Sequence, residues 1–327
     1  MVPGPAGVAA EPNGERPATL AGPHDHPGGV PFGRYPTIVR VSDPPLISAS
    51  QLIDVLSHGA DSVAPPVLLD VRWTLAGSDR AGYLEGHIPG ARFVDLDREL
   101  AGAAGAGGRH PLPEASDLQA VWRRLGIDDG SDVVVYDGGI GMAAARAWWL
   151  LRWSGIAGVR VLDGGLPAWV DGAGQHMTAG PETAPADGRV TMQPGSMPVV
   201  DLDGAAELAG SASGLLVDAR AGARFRGETE PIDPVAGHIP GSVNLPIAQV
   251  LAADGTFRDP GEIRAAFAAV GLGVDATPGT AAASCGSGVT ACQLILAGRV
   301  AGIDLALFPG SYSQWCAAGH PVAVGNA

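Results

Sequence analysis

The 327-residue chain contains no lysine: all 20 basic residues are arginine, and 34 acidic residues leave a formal net charge of -14. That acidic excess speaks against a nucleic-acid backbone as partner, while a local arginine pocket can still hold a small anion. The exclusive use of arginine reflects genome composition and not chemistry. Cysteine is scarce as well, with Cys285, Cys292 and Cys316 the only three. So few, clustered towards one end, cannot build a disulfide framework, and no pair has the short spacing of a zinc knuckle. A reducing compartment and no metal are expected. There is no basic start followed by an apolar run and no stretch long enough to span a bilayer, so the expectation is a cytoplasmic protein without a membrane partner.

Apolar material is plentiful. Hydrophobic residues make up 46% of the chain and charged residues 17%, enough to bury cores, and the length fits two domains. Residues 1–40 are the exception: dense in Gly, Pro and Ala, they bury too little to offset ordering entropy and read as a flexible extension. His24 and His26 lie there as His-Asp-His. A metal site demands three or four fixed ligands, so they read as solvated side chains.

Beyond residue 40 the chain repeats itself once. Leu68-Leu69-Asp70-Val71-Arg72 followed by Gly86-His87-Ile88-Pro89-Gly90 recurs as Leu216-Val217-Asp218-Ala219-Arg220 followed by Gly237-His238-Ile239-Pro240-Gly241. Asp218 stands 148 positions after Asp70, and Cys285 stands 148 positions after Asp137. Gly164, Gly165 and Trp169 answer Gly310, Ser311 and Trp315 at a shift of 146. Landmarks in one order and register mark two copies of one unit. The Pro- and Gly-rich stretch 178–198 reads as a linker, giving a first domain over 41–177 and a second over 199–327.

Within each copy, short apolar strands alternate with helical stretches. Strands are expected at 67–71 and 133–136 with helices over 114–125 and 142–153, then strands at 215–218 and 280–284 with helices over 262–270 and 289–300. This alternation predicts an α/β fold of two tandem units, each a mostly parallel sheet flanked by helices. Chemistry in such sheets sits where a strand ends and a helix begins.

Cys285 occupies that junction in the second copy, in Ser284-Cys285-Gly286-Ser287-Gly288-Val289-Thr290-Ala291. The glycines let N–H groups between Gly286 and Ala291 converge on one point, and the following helix adds partial positive charge. A thiol there is expected to ionise readily, and the same amides would stabilise a terminal persulfide. An isolated cysteine is more often buried and inert; the loop around this one reverses that reading. Asp137, at the matching position of the first copy, cannot carry sulfur. Cys292, two helical turns after Cys285, is assigned to core packing and Cys316 to no role.

Together with its flanking phrases, Cys285-Gly286-Ser287-Gly288-Val289-Thr290-Ala291 resembles the active-site loop of tandem rhodanese-domain sulfurtransferases, the mercaptopyruvate type in particular. Asp218-Ala219-Arg220, Arg224-Phe225, Gly237 to Ser242 and Pro309 to Trp315 are similar to the surrounding signatures, so the likeness runs from about residue 41 to 325. It implies that only the second domain carries sulfur, on Cys285, without a cofactor. The donor would be a small anion, 3-mercaptopyruvate or thiosulfate, and the acceptor cyanide, a thiol or a thioredoxin-like protein. Gly286 and Ser287 after the cysteine are the pair common in mercaptopyruvate enzymes, whereas basic residues there are common in thiosulfate enzymes. The likeness also implies a Ser-His-Asp set in which Ser287 is joined by His110 and Asp97 of the first domain. Removing sulfur from 3-mercaptopyruvate leaves an enolate, and a serine polarised by histidine and oriented by aspartate can protonate it.

Arg224 matches the position that holds the donor's carboxylate or sulfonate, with Gly286, Gly288, Val289, Thr290 and Ala291 lining the pocket; an ion pair with Glu228 or Glu230 is the alternative for that arginine. A second arginine often carried by mercaptopyruvate relatives is missing, and Asp233 stands near its place. Arg220 is expected to tie a strand end to a neighbouring loop, and His87 and His238, present in both copies, to fix turns.

Two other classes compete. Phosphatases with a loop cysteine need an arginine six positions later, where this chain has Ala291. A non-enzymatic persulfide carrier or sensor would keep Cys285 but lack turnover with small donors.

Overall fold

The computed structural model describes Met1 and residues 44–58 and 65–326; apart from Met1 the extension over 1–40, with His24 and His26, lies outside them. The first copy runs β1 (Leu46–Ile47), α1 (Ala49–His58), β2 (Val67–Asp70), β3 (Trp73–Thr74), β4 (Gly77–Ser78), α2 (Arg80–Glu85), β5 (Arg92–Phe93), α3 (Leu96–Glu99), α4 (Ala115–Arg124), β6 (Val133–Tyr136), α5 (Met142–Trp153), β7 (Val159–Leu162) and α6 (Gly165–Pro167). The second runs α7 (Leu202–Gly210), β8 (Leu215–Asp218), α8 (Gly222–Phe225), β9 (Val243–Asn244), α9 (Pro260–Ala269), β10 (Ala281–Ser284), α10 (Val289–Ala301), β11 (Ala306–Leu307) and α11 (Ser311–Ala317).

Two sheets result, ordered β1-β7-β6-β2-β5 and β11-β10-β8-β9, and every pairing within them is parallel. The order β7-β6-β2-β5 matches β11-β10-β8-β9 strand for strand, which is the sequence repeat expressed in space. Where the first sheet adds β1 beside β7, the second has a single parallel bridge from Val199 to Leu307. A small antiparallel hairpin of β3 and β4 stands apart from both sheets.

The central strands β6 and β10 are buried at every residue, which is why they read as unbroken apolar runs and not as alternating ones. Each feeds a helix, α5 or α10, that is buried nearly all round because the two helices pack on each other as well as on their own sheets. One apolar cluster therefore runs from Leu69 and Val135 across Trp149, Leu294 and Leu296 to Ala283 and Leu307. Smaller clusters cover the outer faces, around Leu52 and Tyr136 in the first half and Phe308 and Tyr312 in the second. The two strand-to-helix loops are thus held face to face, with Thr290 Oγ1 3.0 Å from Met142 Sδ.

Residues 178–198 contain no helix or strand, yet they are fastened to the first half. Glu182 accepts the Gly90 N–H at 2.8 Å, Met192 N–H donates to Gln119 at 3.0 Å, and Val190 is buried. Among the described residues no helix is long and apolar enough to cross a membrane.

Candidate active site

Cys285 follows β10 directly and precedes α10 by four positions. The turn depends on Gly288, whose φ is +83° and where a Cβ would stand 2.3 Å from the Pro309 carbonyl. The thiol is 2% exposed, and its Sγ accepts the Gly288 N–H at 3.1 Å. Behind it, Ser311 Oγ accepts the Cys285 N–H at 3.0 Å and donates to Phe308 O at 2.8 Å. Ser311 does this at φ +50°, the only left-handed non-glycine among the described residues, while its counterpart Gly165 sits at +58° without strain.

The expected convergence of several amides on the thiol is met by Gly288 alone, because Sγ is one bond too short to reach the rest. The sister loop shows what lies one bond further out. Asp137 there is 4% exposed, and its carboxylate accepts N–H groups from Gly139 at 2.9 Å, Gly141 at 3.0 Å, Ala143 at 2.9 Å and Ala144 at 3.2 Å. Counted 148 positions on, these are Ser287, Val289, Ala291 and Cys292. Thr290, placed among the pocket residues, turns its hydroxyl to Met142 of the other half instead.

His110, Ser287 and Asp97 come together across the two halves. His110 Nδ1 lies 2.8 Å from Ser287 Oγ, and Nε2 lies 3.4 Å from Asp97 Oδ1. Asp97 does not cap its helix; Asp95 does, accepting from Asp97 N and Arg98 N. The Asp97 carboxylate is instead oriented by the hairpin, taking the Trp73 indole N–H at 2.9 Å and the Ser78 N–H at 3.1 Å. Trp73 also stands edge-on to the imidazole, 5.7 Å between centroids. The loop carrying His110 is fastened from beneath by Arg146 of α5, fully buried, which donates to the Leu100, His110 and Pro111 carbonyls. Burial and the Arg146 charge hold His110 below the ordinary imidazole value, against the opposing pull of Asp97. The ring is therefore neutral near neutral pH and its Nδ1 is free to accept from Ser287.

Arg224 forms the ion pair considered for it and also stands beside the nucleophile loop. Its guanidinium bonds Glu230 at 2.6 Å and Asp233 at 3.2 Å, and its two Nη atoms stand 3.6 and 3.7 Å from where a Cβ on Gly286 would be. Glu228 pairs with Arg226. Arg109, adjacent to His110, reaches the same place from the first half: its Nη2 would be 2.8 Å from that Cβ, and its Nη1 bonds Asp233. A side chain at 286 thus has no room while Arg109 stands there.

The remaining residues serve the fold. Arg220 bonds Asp218 at 2.7 Å and the Gly237 carbonyl at 2.8 Å, with its guanidinium 3.9 Å from the Tyr312 ring. His87 and His238 each point Nδ1 at a carbonyl, of Tyr83 at 2.9 Å and Phe225 at 2.8 Å, and stack on the same residue's ring. Burial pushes the Cys292 thiol up to about 12, so it is inert. Cys316 lies partly exposed on α11, its thiol also raised by burial. Sequence reading missed Arg109, Trp73, Arg146 and Ser311. Only Ser311 left a trace, as a serine where the other copy has glycine.

The Rhodanese-like domain family matches residues 49–171, within the first copy. Over 286 residues the chain is 44% identical to a Mycobacterium tuberculosis protein named as a thiosulfate sulfurtransferase, SseB, spanning 86% of this chain and 98% of that one. It is 34% identical to the human 3-mercaptopyruvate sulfurtransferase, over 84% of this chain and 93% of that one. The crystal structure of SseA from Escherichia coli, reported for the rhodanese fold and mechanism of 3-mercaptopyruvate sulfotransferases, matches with a TM-score of 0.71 at 28% identity, over 83% of this chain and all of that one. With this degree of identity along nearly the full length of its relatives, the chain belongs to the rhodanese family of sulfurtransferases.

Proposed function

We propose that the chain moves sulfane sulfur from 3-mercaptopyruvate, with thiosulfate as a second donor, through a persulfide on Cys285 to a thiol, cyanide or a thioredoxin-like acceptor. The Cys285 thiolate attacks the donor's sulfur, the new S–S bond forms, and the C–S bond breaks with its electron pair left on carbon as pyruvate enolate. Ser287 gives its hydroxyl proton to that carbon. His110 takes up the donor's thiol proton, Asp97 balances the transient imidazolium, and the proton returns to Ser287. The net products are pyruvate and the Cys285 persulfide anion. An acceptor then attacks the outer sulfur and Cys285 leaves as thiolate. Thiosulfate releases sulfite and needs no proton.

The observation that carries the donor choice is the 2.8 Å contact between His110 Nδ1 and Ser287 Oγ, a proton path built from both halves beside the thiol. The persulfide is supported by Asp137: a carboxylate oxygen stands the same number of bonds from Cβ as the outer sulfur of a persulfide, and four amides already solvate that carboxylate in the sister loop.

The test compares kcat/KM for both donors in the wild type and in Ser287→Ala. The expected loss with 3-mercaptopyruvate is roughly 10²- to 10⁴-fold, the range for removing general acid catalysis, with thiosulfate turnover little changed. Equal losses on both donors reduce Ser287 to shaping the loop, and thiosulfate becomes the better assignment. Mass spectrometry after donor treatment should find one cyanide-removable sulfur on Cys285, and Cys285→Ser should be inactive.

A further inference from the structure

Six charged side chains form one alternating row from the core of the second half to the mouth of the pocket: Asp218, Arg220, Glu230, Arg224, Asp233 and Arg109. Exposure rises along its arginines and not along its acids. The side chains of Asp218, Glu230 and Asp233 are 1–3% exposed, while Arg220 is 2%, Arg224 19% and Arg109 30% exposed. The inner charges are thus consumed by one another, while the two outer guanidiniums face the space over Gly286 from opposite halves, within 2.8 and 3.6 Å of one point. Arg109 Nη1 is spent on Asp233; its Nη2 makes no hydrogen bond among the described residues and is the atom nearest that point. Two guanidinium edges converging one residue from the thiol are the arrangement that grips an oxyanion.

We infer that Arg109 is a donor-binding residue: with Arg224 it clamps the oxyanion end of a small anionic sulfur donor over Gly286, and Asp233 sets how much positive charge the clamp offers. Arg109 is held for this by its backbone, whose N–H donates to Ser313 Oγ at 3.1 Å, and by Gly108, packed with φ +99° against the Gly310 carbonyl. Its neighbour His110 sits over Ser287, so one short loop of the first half brings both the anion clamp and the proton path to the cysteine. Both donor classes present an oxyanion, a carboxylate in one and a sulfonate-like group in the other. Arg109 therefore governs affinity for both, and Ser287 the choice between them. The inference rests on Cys285 being the sulfur acceptor.

The rival account is that the Arg109–Asp233 pair only staples the halves together. The two accounts separate because Arg109→Gln and Asp233→Asn both break the pair. A staple predicts effects of the same sign. The clamp predicts opposite signs: Arg109→Gln loses a charged donor, while Asp233→Asn frees one from its competing carboxylate. In the full-length chain, Arg109→Gln should raise KM for 3-mercaptopyruvate and for thiosulfate roughly tenfold to a hundredfold, and the inhibition constant of inorganic sulfate with them. The kcat at saturation should stay within about twofold, and Arg109→Lys should recover part of the affinity. Asp233→Asn should lower KM and the sulfate inhibition constant. A KM rise in both variants, or no change in KM for Arg109→Gln, overturns the clamp. If Asp233→Asn does not fold, the split between KM and kcat in Arg109→Gln and its partial rescue by lysine decide the matter. Retained turnover in Cys285→Ser marks a different failure, that of the sulfur acceptor itself.

Discussion

At the scale of single residues, the proposed proton path depends on a neutral histidine. Burial is the largest influence on His110, the Arg146 charge acts in the same sense, and Asp97 opposes both. Protonation of Nδ1 removes the acceptor for the donor's thiol proton, so 3-mercaptopyruvate turnover should fall only on the acid side of the ordinary imidazole value of 6.5. The sign for Asp97→Asn follows from its opposing role. Removing the one group that raises the His110 value lowers it further, and the acid limb of kcat/KM moves to still lower pH even as the maximal rate drops. Thiosulfate, which needs no proton, should lack that limb. A pH–rate profile with both donors checks this; a limb moving upward in Asp97→Asn contradicts the assignment of His110.

At the scale of elements, the organising device is a buried strand that ends in a glycine loop and opens into a buried helix, used twice. That device was legible in the chain: the strands at 67–71, 133–136, 215–218 and 280–284 are β2, β6, β8 and β10, and the helices expected at 142–153 and 289–300 are α5 and α10. Their apolar runs are long and unbroken because both faces are covered. What stayed hidden were β1, β5, β9, β11 and the hairpin, each strand only two residues long and without room for a period, and the four-residue β7, whose apolar run is broken by Arg160. The same limit applied to the site. Cys285, Ser287, His110 and Asp97 stand in phrases that a repeat and a resemblance single out, whereas Arg109 and Arg146 matter through partners more than 30 residues away, and no local pattern carries such pairs. Arg146 illustrates the consequence. Arg146→Ala strips a charged donor from the buried Leu100 and His110 carbonyls and should cost roughly 2–4 kcal/mol of stability, read as a lowered denaturant midpoint. It should also depress 3-mercaptopyruvate turnover more than thiosulfate turnover, since the loosened loop carries the proton path. Equal losses on the two donors would detach Arg146 from the proton path.

At the scale of the whole molecule, duplication has been turned into a division of labour. The half with Asp137 fills its own loop with a built-in carboxylate, and in the proposed cycle the half with Cys285 keeps the equivalent amides for the persulfide. Yet the second half does not own its active site. Asp97, Arg109 and His110 come from the first, and α10 buries Leu294, Leu296 and Ala297 in a cluster shared with Trp149 and Leu150 of α5. Cutting the chain at residue 198 therefore removes the proton path and exposes an apolar helix face together. Residues 199–327 alone should lose most 3-mercaptopyruvate turnover, bind a hydrophobic dye such as ANS and self-associate in sedimentation. The two losses have separate remedies, which makes the prediction sharp. Polar substitutions on the freed face of α10 should restore solubility and leave turnover low, because no surface change supplies a histidine to Ser287. If a soluble second half matches the full chain with 3-mercaptopyruvate, the site is not shared between the halves, and the 2.8 Å contact from His110 to Ser287 is packing without chemistry.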